Sequence, residues 1–93
     1  MVVASLTWEL SLPGCGSLKQ KRSVIRSLRD RLRSKFNVSV AETGFQDVHA
    51  RAQLTVALVA TDGRFAESVF EKADRLVEQH GGAIITGVRR EFH

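Results

Sequence analysis

Val2–Leu12 reads Val-Val-Ala-Ser-Leu-Thr-Trp-Glu-Leu-Ser-Leu. Apolar residues take every even position: Val2, Ala4, Leu6, Trp8, Leu10 and Leu12. Ser5, Thr7, Glu9 and Ser11 take the odd ones, together with Val3. Strand side chains point alternately to opposite faces, so this is a long strand with one buried face. It carries no basic n-region and Glu9 interrupts its apolar run, so it is not a signal peptide. Pro13-Gly14-Cys15-Gly16 ends it.

Immediately downstream, Ser17 stands three residues before Gln20, which matches a capping box and predicts a helix running to about Lys35. Leu18, Val24, Ile25, Leu28 and Leu32 fall within half a turn of each other and form its core stripe. A second strand is expected near residues 37–45, followed by a polar connection over 46–51. Residues 52–61 alternate again, with Ala52, Leu54, Val56, Leu58 and Ala60 on one face. Asp62 is the expected N-cap of a second helix reaching about His80. Its stripe is Phe65 or Ala66, then Val69, Phe70, Ala73, Leu76 and Val77. Gly81-Gly82 stops it, and residues 83–92 close as a fourth strand. The order β-α-β-β-α-β has one inexpensive compact solution. It is an α+β ferredoxin-like sandwich, a four-stranded antiparallel sheet with two helices on one face. The 93 residues (10.3 kDa) suffice for this single domain and no second core.

Fold alone assigns no function, so each chemistry has to be tested on residues. The single Cys15 rules out a disulfide framework, a cysteine-rich zinc module and a paired-thiolate metal carrier, and fits a reducing cytoplasm. No cofactor is implied. No apolar run approaches the ~20 residues that span a bilayer, so no membrane partner is expected. RNA-recognition domains stack bases on aromatics of the open sheet face, and no outward position of the first or third strand is aromatic. Acylphosphatases need a positioned Arg in the loop after the first strand, and residues 12–17 have none. Cys15 precedes a helix N-terminus, which favours a thiolate, but no base is placed beside it by the sequence. Glu42, Asp47 and His49 make a polar cluster after the second strand. Surface hydrogen bonding is its expected role, and a metal or ligand site is the alternative.

The charge is uneven. Residues 1–35 hold eight basic side chains against two acidic ones, and residues 36–93 hold six against eight. Lys19, Arg22, Arg26, Arg29 and Arg33 are spaced 3, 4, 3 and 4 apart, so all five lie on one stripe of the first helix. That stripe extends about 21 Å, enough to follow several phosphates of an RNA helix. Like charges at i,i+4 repel, so a local basic face of this kind points to a polyanion. The competing reading is a solvated Arg-rich helix of a thermophilic protein, since ten of fourteen basic residues are Arg.

Residues 17–22 (Ser-Leu-Lys-Gln-Lys-Arg) and 36–42 (Phe-Asn-Val-Ser-Val-Ala-Glu), followed by Gln46-Asp47, resemble the YlxP-like family of small bacterial proteins of unknown function. The resemblance covers essentially the whole chain. It implies a ferredoxin-like fold with no established activity and, because the family's genes often lie beside those of transcription-termination and translation-initiation factors, a translation-linked role. Relatives commonly carry Trp-Gln where His49-Ala50 stand here.

Three functional expectations follow. The first is a non-enzymatic accessory factor binding structured RNA or a ribosomal particle through Lys19, Arg22, Arg26, Arg29 and Arg33. The second is a small enzyme or ligand-binding regulator with a pocket near residues 13–17 and Glu42, Asp47 and His49. The third is an interaction module that forms a homodimer through its open sheet face.

Overall fold

The computed structural model describes all residues, 1–93. Its elements are β1 (Val2–Ser11), α1 (Leu18–Lys35), β2 (Ser39–Gly44), β3 (Arg51–Ala60), α2 (Gly63–Gln79) and β4 (Ile84–Phe92). The sheet order is β2-β3-β1-β4 and every pairing is antiparallel. This is the ferredoxin-like sandwich that the alternation and the element order require.

β1 and β3 form the centre, in register from Val2↔Ala60 to Ser11↔Arg51 without a break. Both outer pairings carry a bulge, between Glu9 and Leu10 against β4 and between Glu42 and Gly44 against β3. A bulge leaves one residue unpaired and sharpens the local twist, which turns each edge strand away from the flat sheet plane. The even residues of β1 from Ala4 to Leu10 face the helices and are buried, Leu6 and Trp8 completely, as is Leu12 just past the strand. They meet Leu54, Val56 and Leu58 from β3, Ile25, Leu28 and Leu32 from α1, and Ala66, Phe70, Ala73 and Val77 from α2. α1 lies against β2, while α2 crosses β3, β1 and β4.

Both helix starts follow their sequence signals. Ser17 Oγ accepts from Gln20 N at 3.2 Å, and Asp62 Oδ1 accepts from Phe65 N at 2.8 Å. The capping box is displaced by one residue, because Gln20 Oε1 accepts from Gly16 N at 2.6 Å. α2 ends before Gly82, whose φ of 96° lies in the left-handed region that glycine adopts without a Cβ penalty. Phe65, one of two alternatives for the α2 stripe, is exposed, and Ala66 takes the buried position. No helix is long and apolar enough to cross a membrane.

Candidate nucleic-acid interface

α1 is packed through Ile25, Leu28 and Leu32, so residues opposite that arc face solvent. Lys19, Arg22 and Arg26 are exposed there and none of them makes an ion pair. With Ser23, Ser27 and Asp30 they line a shallow depression of about 430 Å³ that contains no apolar side chain. Asp30 is the only acid on its rim.

The two remaining members of the stripe are held differently. Arg33 is exposed, but its Nη2 donates to Val40 O of β2 at 3.2 Å. Arg29 is half-buried, and its Nε is shielded from solvent without an acceptor. The spacing places Arg29 on the stripe with the other four, and its head is not fully in solvent there. At 100° per residue it stands nearest the packed arc of α1, on the side that leans over β2. The fully free part of the stripe is therefore Lys19, Arg22 and Arg26.

One basic residue of the same segment is not on the surface at all. Lys21 is 2% exposed. Its ammonium donates to Phe45 O and to Val48 O (2.8 Å), and lies 2.9 Å from Glu42 Oε2. The contact to Glu42 is an ion pair off the hydrogen-bond axis, since Oε2 receives no aligned donor. Lys21 thus donates two protons that fasten the 45–49 connection onto the start of α1. Phe45 needs that fastening, because its φ of 58° is a left-handed conformation that costs a non-glycine residue about 1 kcal/mol or more. Lys21 holds its carbonyl, and the Arg51 guanidinium lies 4.2 Å from its ring centroid.

The second group of candidates is divided by this arrangement. Glu42 is taken up by Lys21. His49 Nδ1 donates to Cys15 O at 2.9 Å, so that nitrogen carries a proton. No motif or spacing places His49 beside Cys15, and the fold does bring them together, through the main-chain carbonyl of Cys15. Asp47 is exposed and makes no side-chain contact. Glu42, Asp47 and His49 do not converge as a ligand set, and none of them lines a cavity. The loops at 13–17 and 45–50 are joined along their main chains instead, with Leu12 N donating to Ala50 O at 2.8 Å.

A second ionic cluster sits on the other flank of the helix layer. Arg90 of β4 pairs with Glu67 and Asp74 of α2, and Asp74 Oδ1 also accepts from the buried Trp8 Nε1 at 2.8 Å. Arg90 covers the helix-facing side of β4 where Val88 and Phe92 remain partly exposed.

The strand order, the paired helices and the unpaired cations of α1 define a small ferredoxin-like α+β domain with a basic helical surface. The family described as "Protein of unknown function (DUF503)" matches residues 3–90, nearly the whole chain, and the chain belongs to that family. It is similar to the "Uncharacterized protein YlxP" of Bacillus subtilis (strain 168), 44% identical over 46 residues, a stretch that is 50% of this chain and 50% of that relative. The resemblance carried by residues 17–22 and 36–47 is therefore borne out. Among solved structures, a C-terminal segment of the alpha subunit of aIF2 from Pyrococcus abyssi is similar over 99% of this chain and 48% of that chain, with 17% identity and a TM-score of 0.47. The chain spans about half the length of that segment.

Proposed function

We propose that the protein is a non-enzymatic cytoplasmic accessory factor that binds structured RNA, free or within a ribosomal particle, through the outer face of α1. The observation that supports this is the exposure of Lys19, Arg22 and Arg26 on one side of a helix without a single carboxylate partner. Cations selected for stability alone are normally interleaved with acids, because like charges at i,i+4 oppose folding by a few tenths of a kcal/mol. Phosphate contacts orient a protein on RNA without reading its sequence, so recognition through this face is electrostatic and shape-led.

Co-sedimentation with ribosomal subunits at two salt concentrations tests the reading. The variant Lys19→Gln/Arg22→Gln/Arg26→Gln is expected to keep its thermal transition, since exposed surface changes cost within about 0.5 kcal/mol each. Its association is expected to fall, and its salt dependence to flatten by close to one unit of slope per lost phosphate contact. Unchanged association of the triple variant refutes the reading.

A second reading, a homodimer formed through the open sheet face, is supported by an apolar hollow of about 300 Å³ at one end of that face. Val3, Val38, Ala57, Leu58 and Val59 line it.

A further inference from the structure

α2 carries four carboxylates, Glu67, Glu71, Asp74 and Glu78, spaced 4, 3 and 4 apart. At 100° per residue they occupy one stripe of about 60°. The ion pairs of Glu67 and Asp74 with Arg90 fix the direction of that stripe, toward β4. Lys72 lies about 130° and Arg75 about 70° round the helix from the centre of that stripe, and both border α1. The acids thus share one stripe flanked on one side by Arg64 and Arg75, and Lys72 and Arg75 border the neighbouring helix.

The consequence is a groove between the two helices, of about 360 Å³. Arg31 and Lys35 of α1 form one wall, and Lys72, Arg75 and Gln79 of α2 the other. Phe36 and Leu76 complete the lining. All four cations are exposed, none makes an ion pair, and no carboxylate lines the groove. Each wall brings two like charges one helical turn apart, and the two walls face each other. The four acids of α2 lie outside this groove, which leaves a concave site of one sign. A concave site of one sign concentrates the opposite charge.

We infer that this interhelical groove is a phosphate site, and that it holds the phosphodiester backbone of double-helical RNA. The inference rests on the proposed RNA-binding role and deepens it by moving the anchoring contacts from α1 alone to both helices. Arg31 and Lys35 are separated by about 6 Å along α1, and Lys72 and Arg75 by about 4.5 Å along α2. The two walls therefore present a short track of cations, which suits a continuous chain of phosphates better than an isolated anion. On the outer surface Asp30 and the serines of α1 separate this groove from Lys19, Arg22 and Arg26, so the two basic regions can be altered independently.

The test compares the full chain with two variants, using a blunt RNA duplex of about 16 base pairs as the probe. The groove variant is Arg31→Gln/Lys35→Gln/Lys72→Gln/Arg75→Gln, and the stripe variant is Lys19→Gln/Arg22→Gln/Arg26→Gln. Binding is measured by fluorescence anisotropy across a salt series, with circular dichroism to verify folding. The groove variant is expected to bind the duplex at least tenfold more weakly and to lose more salt slope than the stripe variant, up to about four units. An unchanged affinity and slope for the groove variant overturns the groove proposal, and if the stripe variant has meanwhile lost binding, the α1 reading survives. Loss in the groove variant with none in the stripe variant supports the groove and refutes the α1 reading. Titration with inorganic pyrophosphate separates the two sources of phosphate. Saturable binding of pyrophosphate to the parent chain, abolished in the groove variant, without any affinity for the duplex, overturns the RNA assignment.

Discussion

Lys21 stands between Gln20 and Arg22 in the most basic run of the chain, and its residue type hides its role. The position was nevertheless legible. Lys21 precedes Ile25, Leu28 and Leu32 by 4, 7 and 11 residues, which places it on the packed face of α1. What the sequence does not show is the set of acceptors that makes burial of an ammonium tolerable, because Phe45 O and Val48 O come from a connection with no periodicity. Replacing Lys21 by Met leaves Val48 O without its donor, Phe45 O with the Val48 N–H alone, and the Glu42 carboxylate without its counter-charge. Removing one partner of a fully buried pair costs 3–5 kcal/mol, and Glu42 is partly solvated, so about 2–3 kcal/mol is expected here. The double variant Lys21→Met/Glu42→Leu removes the stranded charge and is expected to recover part of the loss. Urea denaturation of the two single variants and the double variant gives the coupling directly. Strictly additive losses would show that Lys21 and Glu42 do not act as a pair.

The elements themselves were almost wholly legible, because each is announced twice, by a periodicity and by a cap. β1 has unbroken alternation, α1 has Ser17, and α2 has Asp62 before it and Gly82 after it. The charge pattern of α2 was less legible. In the linear sequence its acids and bases look mixed, and only the spacing of Glu67, Glu71, Asp74 and Glu78 shows that the acids share one stripe. Their roles then depend on β4, because Arg90 reaches across to two of the four. Asp74 is the critical member, since it also holds the buried indole N–H of Trp8. Asp74→Ala strands that donor and half of the Arg90 guanidinium, at an expected cost of about 1–3 kcal/mol. Glu71→Ala on the same stripe touches no partner and is expected to stay within about 0.5 kcal/mol of the parent. The emission of Trp8, the single tryptophan, reports both unfolding transitions, and its native spectrum is expected to change in Asp74→Ala only. Equal midpoints for the two variants would refute the role given to Asp74.

At the scale of the whole molecule the helices cover one face of the sheet and leave the other open. The threonines on that face are engaged with each other and with Gln53. Thr7 and Thr43 both pair with Thr55, at 2.9 and 2.8 Å, and Thr43 also donates to Gln53 at 3.0 Å. Thr7 is only 8% exposed as a result. These hydroxyls can lose water without being stranded, and the charges of the face, Glu9, Arg89 and Glu91, lie toward its β4 side. Beside the threonines Val3 and Val59 are exposed, Val59 at 67%. Four strands about 4.8 Å apart, with a ten-residue β1 about 33 Å long, present roughly 600 Å² on each copy. Two copies face to face would bury about 1,200 Å², above the roughly 1,000 Å² that a specific interface requires. Such a pairing leaves both α1–α2 surfaces pointing outward, available to nucleic acid at the same time. Light scattering at micromolar concentrations is expected to give twice the 10.3 kDa chain mass. Val59→Lys sets an ammonium against its counterpart across the interface and is expected to return the protein to 10.3 kDa without lowering its thermal midpoint by more than the dimer contributes. A 10.3 kDa species throughout the concentration range for the parent chain excludes the stable dimer, and a dimer that survives Val59→Lys places the contact on another surface.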